Sequence, residues 1–98
     1  MTIYMIERID NSPRRNSRYR VILTDKRYYD FGLRGAQTYI DHKDITKREN
    51  YRKRHLANPL EKKLIESYTP SPALFAYYLL WGESTDLGKN VEWLNKKL

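Results

Sequence analysis

Histidine is the residue to weigh first for chemistry near neutral pH, because its imidazole changes charge there. The chain has two, His42 and His55, and neither stands in an HExxH or comparable spacing that would place two ligands on one metal. In His42-Lys43-Asp44 a carboxylate lies two positions from an imidazole. Residues so close in sequence seldom face each other within one element, so His42 reads as a hydrogen-bonded histidine near a helix start. His55 follows Tyr51 by one helical turn and reads as a packing residue. Ser12, Ser17, Ser67, Ser71 and Ser84 lack a GxSxG context, and the absence of cysteine removes disulfides, thiolate metal sites and a cysteine nucleophile. Asp30-Phe31-Gly32 spells the metal-binding tripeptide of protein kinases, but no Gly-rich loop or strand lysine accompanies it. Gly32 and Gly35 are too sparse to cradle a phosphate. The expectation is a protein with no catalytic residue, no metal and no cofactor.

Charge gives a stronger signal. The 98 residues carry 19 Lys+Arg against 12 Asp+Glu, a net +7. Fourteen of the basic residues lie between Arg8 and Arg54 with six acidic ones, whereas His55 to Leu98 holds five of each. Such clustering points to a polyanion or an acidic partner for the first half. Arg14, Arg15, Arg18 and Arg20 come from one loop and strand start; Arg48, Arg52, Lys53 and Arg54 come from one helix. If that helix packs through Tyr51 and His55, Arg48, Lys53 and Arg54 point outward. Tyr19, Tyr28, Tyr29 and Tyr39 could add stacking surfaces for unpaired bases. A solvated helix face beside half-buried tyrosines fits the same residues. No signature of a sequence-reading nucleic-acid module is present. In the neutral half, Phe75, Tyr78, Trp81 and Trp93 are either core or protein interface, since large aromatic residues dominate both.

These residues need elements to hold them. The length admits one domain, with a basic hairpin-and-helix half (1–57) and a neutral aromatic helical half (58–98). Alternation predicts a first strand over 3–9, with Ile3, Met5 and Ile9 on one face and Tyr4, Ile6 and Arg8 on the other. DNSPRRNS (10–17) reads as a mobile loop. RYRVILT (18–24) alternates again, Asp25-Lys26 makes a two-residue turn, and the return strand runs 27–31. Thr46 and Glu49 suggest a capping box for a helix from about residue 44 to Ala57, stopped by Asn58-Pro59. A short helix follows over 60–68 with Leu60, Leu64 and Ile65 on one side. Ser71-Pro72 is a helix start and Gly82 suits a left-handed stop, so ALFAYYLLW should be one apolar helix. Leu87, Val91, Leu94 and Leu98 mark a last helix over 85–98. The fold class is α+β: two or three short antiparallel strands, then three or four helices. No 18-residue apolar run exists, so no membrane span is expected, and TIYMIERI lacks the features of a cleaved leader.

RYRVIL, DFGLRGAQTYIDHKD, Arg48-x-x-Tyr51-x-x-Arg54-His55 and the LLW ending at Trp81 together resemble a family of small proteins encoded by nucleocytoplasmic large DNA viruses. The likeness covers roughly 18–82, although family members carry a Trp-rich stretch where this chain has LIESYTPSPALFAYYLL. The corresponding positions are Asp30, Phe31, Gly32, Gly35, Tyr39, His42, Lys43, Asp44, Arg48, Tyr51, Arg54 and His55. The resemblance implies a viral origin, a shared small fold and a place in the virion, with the host cytoplasm during infection; it implies no catalytic activity. The leading expectation is a non-enzymatic minor capsid or capsid-associated protein that bridges other virion proteins. Its basic residues would meet an acidic face, and Phe75, Tyr78, Trp81 and Trp93 would seat in a neighbour. The alternative is a basic nucleic-acid-binding protein without sequence specificity. A small enzyme built on His42 and Asp44 is the weakest of the three.

Overall fold

The computed structural model describes residues 4–98. Three strands, β1 (Ile6–Asn11), β2 (Ser17–Leu23) and β3 (Tyr28–Leu33), form an antiparallel meander in the order β1-β2-β3. On β2 and β3 the alternation places side chains as expected. Val21, Leu23 and Phe31 are buried with Tyr19 and Tyr29 packed beside them, while Tyr28 is exposed on the other face. β1 departs from simple alternation. Ile6 pairs with Leu23 and Arg8 with Ile22, so Glu7 is an extra residue in the ladder. The bulge turns Ile6 and Ile9, of opposite parity in sequence, toward the same core face. The expectation for Ile3 lies outside the described residues.

Both hairpin loops differ from the sequence reading. The first is shorter than 10–17 and is tied down: the Arg34 guanidinium donates to the carbonyls of Ser12, Arg14 and Ser17 at 2.7, 3.0 and 3.1 Å. The Ser12 hydroxyl donates to Asp30 at 2.7 Å. The second loop has three residues rather than two. The Lys26 amide donates to the Leu23 carbonyl at 3.0 Å, and the Leu23 amide to that of Arg27 at 2.9 Å. Lys26 takes φ 74°, the left-handed position usually given to glycine in such a turn.

Five helices follow: α1 (Tyr39–His42), α2 (Ile45–Ala57), α3 (Pro59–Glu66), α4 (Pro72–Phe75) and α5 (Leu87–Lys97). α1 was not expected; Asp41 reaches back to accept from the amide and hydroxyl of Thr38 at 2.8 and 3.0 Å. Asp44, not Thr46, opens α2, accepting from the amides of Thr46 and Lys47. Asn58 ends α2 and caps α3, with Pro59 in the first turn. Ile65 is buried there, but Leu60 is exposed rather than packed. Ser71 caps α4 through the Leu74 amide as the Ser-Pro pair predicts. The expected continuous apolar helix instead widens into a π-helical turn over Ala76–Leu80, where the Trp81 amide donates to the Ala76 carbonyl at 3.2 Å. Gly82 is required for a different reason than the left-handed stop. A Cβ there would lie 2.0 Å from the Tyr78 carbonyl oxygen.

The two sequence halves share one core. Leu74, Phe75, Leu79, Leu80 and Trp81 pack on the inner face of the sheet, and Leu94 of α5 closes the far side. Phe75 is fully buried and Trp81 is 9% exposed, so both belong to the scaffold and are withdrawn from the docking role considered for them. Asn90, 1% exposed, donates to the carbonyls of Leu79 and Ser84 at 2.9 and 2.8 Å and accepts from the Ser84 amide at 2.9 Å. One amide side chain thereby satisfies a carbonyl of the π turn and both backbone groups of Ser84. Asn95 similarly pairs with both backbone groups of Ile6, fastening α5 to β1. Among the described residues no helix is long and apolar enough to cross a membrane.

Candidate functional site

α2 has two faces of opposite use. Its inner stripe is Arg48, Tyr51, Arg52 and His55, a spacing of three, one and three that keeps all four on one side. Tyr51 stacks on Trp81 with ring centroids 4.2 Å apart and planes 8° from parallel, and its ring lies 4.1 Å from that of His55, tilted by 35°. Burial pushes the Tyr51 hydroxyl up to about 12. His55 Nδ1 lies 2.7 Å from a Glu61 carboxylate oxygen. Arg48 and Arg52 flank this stack and turn inward. Arg48 donates to the Gly82 carbonyl at 3.3 Å and to Glu49 at 2.7 Å; Arg52 donates to the Trp81 carbonyl at 2.9 Å and to Glu83 at 3.2 Å. Two cations thus satisfy carbonyls just past a helix C-terminus, where positive charge is favoured. Arg48, expected to point outward, is a structural residue.

The sheet uses its arginines in the same way. Arg18 grips Asp41 through both terminal nitrogens at 2.6 Å, joining β2 to α1. That guanidinium holds the Asp41 carboxyl far below the usual carboxylate range. Arg20 grips Asp30 at 2.9 and 3.1 Å, lowering its pKa in turn, and lies 4.0 Å over the Tyr28 ring. Of the eight cations singled out by sequence, Arg18, Arg20, Arg48 and Arg52 have carboxylate partners. Arg14, Arg15, Lys53 and Arg54 are exposed and, among the described residues, none has a carboxylate within ion-pair distance. Asp30, Phe31 and Gly32 serve the sheet: an ion-pair partner, a core ring, and a φ of +77° where a Cβ would come 2.9 Å from Leu80. Gly35, at φ +88°, makes the turn out of β3.

The outer face of α2 borders a groove of about 550 Å³ lined by Gln37, His42, Lys47, Asn50, Lys53, Arg54 and Trp81. Lys47, Asn50 and Arg54 stand at i, i+3 and i+7, one side of the helix, with Lys53 adjacent. Lys47, like Lys53 and Arg54, is exposed and without a carboxylate partner among the described residues. His42 packs on Trp81 at 5.3 Å, and its Nδ1 accepts from the Asp44 amide at 2.9 Å. That bond assigns the proton of the neutral ring to Nε2, which is buried and, among the described residues, has no partner. The Asp44 carboxylate is meanwhile occupied at the start of α2, so His42 and Asp44 form no acid–base pair. Among the described residues no three His, Asp or Glu side chains converge as a metal ligand set.

The groove therefore presents cations and donors with no carboxylate on its walls, which suits an anionic ligand rich in acceptor oxygens. It offers no open ring for stacking, because Trp81 is buried beneath Tyr51. The stacking surface expected from tyrosines is likewise reduced: Tyr19, Tyr29 and Tyr39 pack against the core. Tyr78 and Trp93 are half-buried and stack at 5.3 Å, with Tyr68 continuing the row at 5.4 Å. Sequence reasoning missed Gln37, Lys47 and Asn50. The helical spacing from Lys47 to Arg54 could have revealed two of them; nothing in the sequence marks Gln37.

Residues 7–55 match a family of unknown function (DUF5754), a span holding every groove residue except Trp81. No curated protein and no solved structure matches the chain. With half its length in that match, the chain belongs to the DUF5754 family.

Proposed function

We propose that the chain is a non-enzymatic nucleic-acid-binding protein that holds the phosphate backbone and does not read sequence. The observation that carries this reading is the groove in which Lys47, Lys53 and Arg54 stand together with no carboxylate among the described residues to neutralise them. The absence of an open aromatic platform in the groove argues for backbone contact rather than base contact. Filter binding to duplexes of unrelated sequence, across a salt series, tests it. Three phosphate contacts give a log–log slope of about −2.7, so affinity should fall about 40-fold between roughly 50 and 200 mM salt, equally for each sequence. Binding that is weak and flat across the series removes the reading.

A second reading, a component of the virus particle that contacts other capsid proteins, draws on the half-exposed row of Tyr68, Tyr78 and Trp93, the aromatic surface left after Phe75 and Trp81 enter the core. It expects the protein at fixed stoichiometry in purified virions, and absence from mature particles ends it.

A further inference from the structure

Resting on the nucleic-acid reading, we propose that the groove beside α2 is a seat for a terminal phosphate, so that the protein favours phosphorylated strand ends over internal backbone.

The argument begins with His42. Its Nδ1 is committed to the Asp44 amide, so the neutral ring carries its N–H at Nε2, an atom that is buried and, among the described residues, has no acceptor. A buried donor without a partner is costly and uncommon, and here it belongs to a residue lining an open groove. The remaining walls are equally one-sided. Lys47, Lys53 and Arg54 can only donate, and the amides of Gln37 and Asn50 can donate as well. The complementary group has several acceptor oxygens and more than one negative charge. An internal phosphodiester has a single charge and two free oxygens. A terminal monoester has about −1.5 to −2 charges near pH 7 and three free oxygens. Three cations and two side-chain amides around one concavity match the second far better than the first.

The seat does not rest on a helix end. The first-turn amides of α2 at Thr46 and Lys47 are already bonded to Asp44. The ligand is met by side chains of α2 and α1 and by Gln37, outside the helices. At about 550 Å³ the groove also exceeds a lone phosphate and leaves room for the attached sugar.

The test compares one oligonucleotide with a 5′-phosphate, with a 3′-phosphate and with hydroxyls at both ends, at fixed salt, using the full chain. One phosphorylated form should bind about tenfold more tightly than the hydroxyl form, the gain of one charge-assisted contact set. Inorganic phosphate should erase that difference before it displaces the strand. The exposed substitutions Lys53→Ala and Arg54→Ala should remove the preference, whereas Lys89→Ala, outside the groove, should leave it. In nitrogen-detected NMR the His42 Nε2 resonance should move on adding the phosphorylated form. Equal affinity for all three oligonucleotides overturns the terminal-phosphate seat while leaving the nucleic-acid reading intact. No binding to any of them overturns both, and an unmoved His42 resonance overturns its place in the seat.

Discussion

The two sides of α2 carry the same residue types to opposite ends. On the inner side Arg48 and Arg52 give their charge to backbone carbonyls and to Glu49 and Glu83, and their guanidinium groups lie over the rings of Tyr39 and Tyr77 at 5.1 and 5.0 Å. On the outer side Lys47, Lys53 and Arg54 meet no carboxylate among the described residues and border open space. The difference teaches that a run of basic residues is not one patch. Charge that is hydrogen-bonded to the fold contributes stability and is spent; charge without a partner remains available to a ligand. Arg18 with Asp41 and Arg20 with Asp30 repeat the inner pattern on the sheet.

The sharpest way to break this comparison is Arg52→Ala. It strips the Trp81 carbonyl and Glu83 of their partner and should cost about 2 kcal/mol in chemical denaturation. Arg52→Lys should restore little, because a point charge cannot reach both acceptors as a planar fork does. A loss within about 0.5 kcal/mol would place Arg52 with the outer residues.

Asp41→Asn comes next, at about 1 kcal/mol once solvent screening of a partly exposed pair is allowed for. Because Arg18 depresses the Asp41 pKa in the folded state, this contribution is complete above the ordinary value of 3.8 and fades as pH falls below it. Urea midpoints of the parent and the variant should therefore differ at pH 6 and converge as acid protonates the carboxylate. A gap that persists at low pH contradicts the ion-pair account.

The smallest effect on stability belongs to the paired change Lys53→Ala with Arg54→Ala, which should leave the denaturation midpoint nearly untouched, within about 0.5 kcal/mol. The same protein should lose about 1.8 from the salt slope of duplex binding. Destabilisation without a change in slope would reverse the comparison.

Much of the fold was legible because it follows local rules. RYRVIL alternates, so Val21 and Leu23 had to face one way. Ser71-Pro72 and Asn58-Pro59 punctuate helices through chemistry confined to a few atoms. What escaped was set by long-range contact. The bulge at Glu7 depends on the register against Leu23 and Ile22, which β1 alone does not encode. Asn90 looks like a surface residue of an amphipathic helix until the π turn brings the Leu79 carbonyl to it. The site fared similarly. Its basic character was visible, but which arginines would be consumed depended on Asp41, Glu83 and the Trp81 carbonyl, 23 to 31 positions away from their partners. Lys53 and Arg54 were among the residues marked in advance. Gln37 entered only because α1, a helix of four residues, packs against α2 and the chain just before it lines the groove.

Trp81 touches both worlds: its indole lines the groove yet is sandwiched with Tyr51 at 4.2 Å. The chain has one other tryptophan, Trp93, on α5. A Trp93→Phe version would keep a single emitter at the wall of the groove, where quenching or a spectral shift would register a ligand's arrival. The protein thus comes with its own optical gauge of occupancy, needing no label on either partner.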